Sequence, residues 1–138
     1  MKKIIYCGIV IVFFSQFTFA EPSVQISAGK YSFTQEGEEL IDGAKVSITW
    51  NIYVKDDSHA VVKISSWHVP FTCDGKYTVS RNGNQLALSW SDKDNPDVEC
   101  DTSSPQFLLK KSSSGKVLAH SELFVWNPDG WKNMRVIK

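Results

Sequence analysis

The sequence predicts an all-β domain of about eight antiparallel strands, arranged as an up-and-down barrel or, alternatively, a two-sheet sandwich. Three observations lead there. Apolar and polar residues alternate through most of the chain beyond residue 20, the period of strands with one buried face. Glycine, proline, asparagine and aspartate gather between these stretches, as tight turns require. No run of roughly ten residues or more carries a helical apolar stripe.

The first strand is read at Lys30–Gln35, with Tyr31 and Phe33 on one face, and a single turn of helix is expected near Gly37–Leu40. Lys45–Lys55 is the clearest strand: Val46, Ile48, Trp50, Ile52 and Val54 alternate with Ser47, Thr49 and Asn51. His59–Trp67 follows after Asp56-Asp57-Ser58. Lys76–Arg81 and Gln85–Ser91 flank Asn82-Gly83, a pair that tolerates positive φ and marks a hairpin. Gln106–Lys111 and Lys116–Trp126 flank the Ser112–Gly115 turn, and Trp131–Ile137 comes last, after Asn127-Pro128-Asp129-Gly130. Short joints favour sequential antiparallel neighbours, and closing such a sheet removes its exposed edges. A sandwich buries every second residue just as well.

The start of the chain reads as a signal peptide. Met1-Lys2-Lys3 is basic, Ile4–Phe14 is apolar, and Thr18 and Ala20 are small residues suited to cleavage after Ala20. The apolar run is shorter than the roughly 20 residues of a spanning helix, and Cys7 lies too early in it to be a lipid-anchored cysteine. Residues 21–138 then form a single exported domain, periplasmic or secreted, without a membrane anchor. The 15 basic and 15 acidic residues balance; loss of Lys2 and Lys3 leaves a net charge of about −2. That excludes the basic excess expected of a nucleic-acid-binding protein. Cys73 and Cys100 remain, and in an oxidising compartment they are expected to pair. The disulfide removes about 3 kcal/mol of unfolded-state entropy.

Ser91–Pro105 interrupts the alternation with Asp92, Asp94, Asp97, Glu99 and Asp101. An exposed acidic loop, pinned by Cys100, is suited to a basic protein partner such as an enzyme or toxin, with Trp67 and His68 beside it. Its spacing lacks the glycine and closing glutamate of a calcium loop. His59, His68 and His120 form no zinc pattern, so neither a metal nor a cofactor is expected. No Gly-x-Ser-x-Gly elbow is present. Glu122, amid the apolar strand of Leu118, Phe124 and Trp126, is the candidate acid for an envelope hydrolase, but an outward-facing glutamate in an alternating strand is the preferred reading. Trp50 and Trp90 fall on inward faces. With Trp126 and Trp131 near strand ends, they are the candidate lining of a ligand pocket.

The layout resembles the lipocalin-like barrels of small exported bacterial proteins. The resemblance rests on Lys30-Tyr31-Ser32-Phe33, the strand through Trp50, Cys73 with Gly75-Lys76-Tyr77, Leu86–Trp90 and Phe107–Lys111. It implies a barrel and an envelope or secreted location. Ser27-Ala28-Gly29-Lys30-Tyr31 is loosely similar to the Ser-Gly-x-x-Tyr motif of one group of periplasmic lysozyme inhibitors, with the glycine displaced. The readings carried forward are a non-enzymatic protein that neutralises a hydrolase or secreted effector (an inhibitor or immunity protein), a carrier of a small apolar ligand, and an envelope hydrolase. The first predicts a monomer or dimer without a deep cavity, the second an interior cavity.

Overall fold

A computed structural model describes residues 11–18 and 25–138. The proposed cleavage point after Ala20 lies outside the described residues, as does Cys7. Residues 11–18 form no strand or helix. No helix among the described residues is long and apolar enough to cross a membrane.

The strands are β1 (Gly29–Glu39), β2 (Lys45–Val54), β3 (His59–Trp67), β4 (Gly75–Asn82), β5 (Gln85–Trp90), β6 (Phe107–Lys111), β7 (Val117–His120), β8 (Lys132–Asn133) and β9 (Arg135–Ile137). Each consecutive pair from β1 to β8 is antiparallel, and β9 returns to β1. The segment Lys132–Ile137 therefore changes neighbours at Met134: β8 pairs with β7, and β9 with β1. Met134 is buried and its N–H donates to Val117 O at 2.8 Å. The sheet becomes a nearly closed up-and-down barrel, the expected architecture and, at this coarse level, the layout of lipocalin-like proteins.

Alternation works as the sequence indicates. Ile48, Trp50, Ile52 and Val54 on β2, Val62 and Ile64 on β3, Leu86, Leu88 and Trp90 on β5 are all buried, filling the barrel with side chains. Tyr31 and Tyr77 also point inward. Their hydroxyls donate to Ser27 O at 2.6 Å and to Cys73 O at 2.5 Å, which removes the cost of burying them unpaired. Tyr31 of the Ser27–Tyr31 run thus has an internal, structural role.

Three local expectations are corrected. β1 runs on through Gly37 to Glu39, so the expected helical turn is strand with a bulge between Glu36 and Glu39. The β4–β5 turn is Gly83-Asn84, since Asn82 pairs with Gln85. Only Gly83 takes positive φ, 61°, as glycine does in the first place of a type II′ turn. Third, the strand expected over Lys116–Trp126 stops at His120. There Ser121 Oγ donates to Gln106 O at 2.6 Å and accepts from Leu123 N at 3.1 Å. This side-chain turn competes with the ladder. Val117 and Ala119 face inward, and after the turn Phe124 does, so Leu118 and Phe124 do not share a face.

The two ends of the barrel differ. Tight turns join β2 to β3, β4 to β5 and β6 to β7 at one end. The other end carries residues 40–44, 68–74, 91–106 and 121–131. Longer loops on a rigid scaffold are where binding residues concentrate.

Candidate functional site

Two of the four segments at the loop-bearing end are joined covalently. Cys73 and Cys100 form a disulfide with a Cα–Cα distance of 4.9 Å, tying loop 68–74 to loop 91–106. The backbone of loop 68–74 bends through left-handed φ at His68 (60°) and Cys73 (67°), conformations held in non-glycine residues only by their surroundings. Asp74 Oδ2 accepts from Ile64 N at 2.8 Å, continuing the edge of β3 beyond the end of β4. Burial, with the nearby Asp74 charge adding to it, pushes the Tyr77 phenol far above its usual range.

Loop 91–106 is held by more than its disulfide. Asn95 Oδ1 accepts from Lys76 N at 2.9 Å, and Asn95 Nδ2 donates to Lys76 O and Ser91 O, both at 2.7 Å. The amide imitates a strand neighbour for β4. Gln106 Oε1 accepts from Trp90 N at 2.8 Å while its Nε2 donates to Thr102 O at 2.8 Å. Neither amide stands out in the sequence, because asparagine and glutamine are ordinary loop residues until their partners are known.

Asp92, Asp94, Asp97, Glu99 and Asp101 are all exposed. Asp94 Oδ2 accepts from Ser91 Oγ at 2.8 Å. Trp67 and His68 are exposed on the neighbouring loop, their rings edge to face at 4.1 Å. Among the described residues no ion pair or hydrogen bond joins these two to the five acids.

The four tryptophans singled out as ligand lining occupy different places. Trp50 is buried at the centre of an aromatic cluster, 5.9 Å from Phe33 and 5.0 Å from Phe124. Trp90 packs edge-on against Tyr77 at 5.3 Å, and its buried Nε1 has no hydrogen-bond partner among the described residues. The Trp126 indole lies on Gly37 at the mouth and is 39% exposed. Trp131 packs beside His120 and under Lys110, whose Nζ is 4.0 Å from the ring centroid. Lys110 follows the buried Leu109 on β6, so this cluster is on the outer wall.

Between loops 68–74 and 121–131 the mouth holds an apolar cavity of about 210 Å³. Ile48 and Trp50 form its floor; Pro70, Phe71, Thr72, Leu123 and Val125 form its sides. Phe71 and Val125 are exposed. Only Trp50 among these was a candidate from sequence. Phe71 lies outside any alternating stretch, and the pattern places Leu123 and Val125 within the expected Lys116–Trp126 strand. The readable signal was the change of phase from Val117 and Ala119 to Phe124.

Two further hollows carry polar side chains among apolar ones. One of about 290 Å³ on the outer wall includes Lys55, Asp56, His59, Lys76 and Asp94. In it His59 Nδ1 lies 2.9 Å from Asp56 Oδ1. The Asp56 carboxyl is held below its usual range by the Ser58 N–H and by His59. The other, of about 240 Å³, brings Ser103, Ser104, His120 and Glu122 to one side. Among the described residues no hydrogen bond joins His59 or His120 to a serine hydroxyl, the contact expected of an activated nucleophile. No group of three or more His, Cys, Asp or Glu side chains among them is placed to hold a metal.

Compared with protein-family models, curated proteins and solved structures, the chain matches none.

Proposed function

We propose that this protein is an exported carrier of a small apolar ligand, held over Trp50 at the loop-bearing mouth of the barrel. The observation that supports it is the 210 Å³ cavity walled by Ile48, Trp50, Phe71, Leu123 and Val125. A dry apolar cavity of about 150 Å³ accepts benzene, so this volume suits one ring with a short substituent or a short acyl chain. Transfer of such a group from water contributes about 25 cal/mol per Å² buried. The disulfide restrains the wall formed by loop 68–74, and the Ser121 hydrogen bonds restrain the start of segment 121–131; walls held before the ligand arrives lower the entropy cost of binding. The acidic loop offers nothing specific to a hydrolase inhibitor or immunity protein.

The test is a titration of the exporting host's purified product, disulfide intact, with small aromatic and acyl compounds. It is followed by tryptophan fluorescence and by native mass spectrometry of whatever co-purifies. One saturable site is expected, weakened at least about tenfold by Leu123→Asp, since a carboxylate in the wall resists desolvation. An unchanged affinity in that variant, or no saturable response to any compound, would overturn the carrier reading. Export is checked separately: periplasmic protein is expected to begin at Glu21.

A further inference from the structure

The barrel is not sealed along the whole of β1. On one side β1 pairs with β2 from Gly29 to Glu36 and again at Glu39. On the other side β9 reaches only Lys30, Tyr31 and Ser32. Among the described residues, no strand pairs with that edge from Phe33 to Glu39 and no backbone hydrogen bond from another segment reaches it. Where β9 departs, the seam gapes into a hollow of about 300 Å³ lined by Ser32, Phe33, Thr34, Asn133 and Arg135. Midway along the open stretch, Gln35 Oε1 is buried and has no hydrogen-bond partner among the described residues.

The side chains on this edge decide what could add to it. Thr34, Glu36 and Glu38 alternate on the exposed face, and Glu39 is exposed as well. Lys45 Nζ stands 3.7 Å from Glu36; among the described residues no ion pair engages Glu38 or Glu39. An open edge is a template for another strand. A second copy of this edge would set glutamates against glutamates, and like charges across a ladder destabilise it. A strand with cations at alternate positions meets the opposite situation.

We propose that the open edge of β1, Phe33–Glu39, receives an extended cationic segment of a partner protein by strand addition. The added backbone bonds to the free edge. Lysines or arginines at every second position lie beside Glu36 and Glu38, and the residues between them turn toward the seam. None of the residues Phe33–Glu39 lines the mouth cavity.

The experiment uses the disulfide-intact protein and a synthetic peptide alternating lysine with valine. Binding is followed by fluorescence anisotropy, and backbone exchange by hydrogen–deuterium mass spectrometry. The peptide is expected to bind and to slow exchange across Phe33–Glu39. Affinity falls at least about tenfold in the E36K/E38K double variant, where both changes are on exposed side chains. The same peptide with proline for alternate valines keeps its charge but lacks those N–H donors, and it is expected not to protect the edge. Equal binding by the proline peptide would overturn the proposal in favour of charge attraction alone. So would unchanged exchange at Phe33–Glu39. Protection of these amides without peptide, with a dimer mass in sedimentation, would assign the edge to a second copy instead. Should E36K/E38K fail to fold, Glu38→Gln provides the comparison, with a smaller loss of affinity expected.

Discussion

Phe124→Ala tests how the barrel is plugged at its loop-bearing end. Phe124 has no exposed surface, although it belongs to no strand. Its ring is 4.9 Å from Phe33, 5.0 Å from Trp50 and 6.3 Å from Phe107. These neighbours belong to β1, β2 and β6, whose ladders limit their collapse into the space left behind. Phenylalanine-to-alanine changes in cores cost about 3–5 kcal/mol, more where the site relaxes least. The loss of aromatic contacts on three strands places this one at about 4 kcal/mol. Phe124→Leu keeps most of the volume and should cost less than about 1.5 kcal/mol. Single domains have about 5–15 kcal/mol in total, so the alanine variant stays measurable across most of that range. Urea unfolding is followed by tryptophan fluorescence and far-ultraviolet circular dichroism, with equal m-values required for the comparison. The void adjoins Trp50, so benzene at ten times its dissociation constant should restore about 1.4 kcal/mol to the alanine variant. A cost below about 1.5 kcal/mol, no larger than that of the leucine variant, would refute the argument that residues 121–131 plug the barrel.

Other outcomes follow from the same geometry. The raised Tyr77 phenol stabilises the fold below the unfolded-state pKa of about 10 and loses that contribution as pH rises from there toward the folded-state value. Stability should fall by about 1.4 kcal/mol per pH unit in this window, and Tyr77→Phe should flatten the slope in urea melts at pH 9 to 11. Replacing both Cys73 and Cys100 by serine should cost about 3.5 kcal/mol for a sequence separation of 27. Faster hydrogen exchange should appear first in loops 68–74 and 91–106, while β2 stays protected. Gly37→Ala would put a methyl group into the Trp126 indole and 2.8 Å from Val46 Cγ2. The partly exposed indole is expected to swing out, with a red-shifted emission and a loss of about 1–2 kcal/mol. Unshifted emission would mean that Trp126 does not rest on Gly37.

Much of the fold was legible because a half-buried strand writes its geometry into alternate residues. β2 and β3 are readable almost to the residue, since Ile48, Trp50, Ile52 and Val54 on one and Ala60, Val62 and Ile64 on the other keep the inward phase despite Tyr53 and Val61 on the outer faces. The boundaries failed where local hydrogen bonding overrode the pattern. Ser121 ends β7 by bonding to Gln106 O, a partner distant in sequence. Gly37 continues β1 because Trp126 covers it from another segment.

The sequence by itself determined the all-β class, the sequential antiparallel order and the inward faces carrying Trp50 and Trp90, all consequences of short-range periodicity and turn chemistry. Barrel against sandwich was decided only in three dimensions, by Lys132–Ile137 bridging β7 and β1, because closure is a relation between the two ends of the sheet. The same holds for the mouth cavity and the open edge of β1. Both arise where segments far apart in the chain meet, or fail to meet, and alternation along one strand carries no record of that.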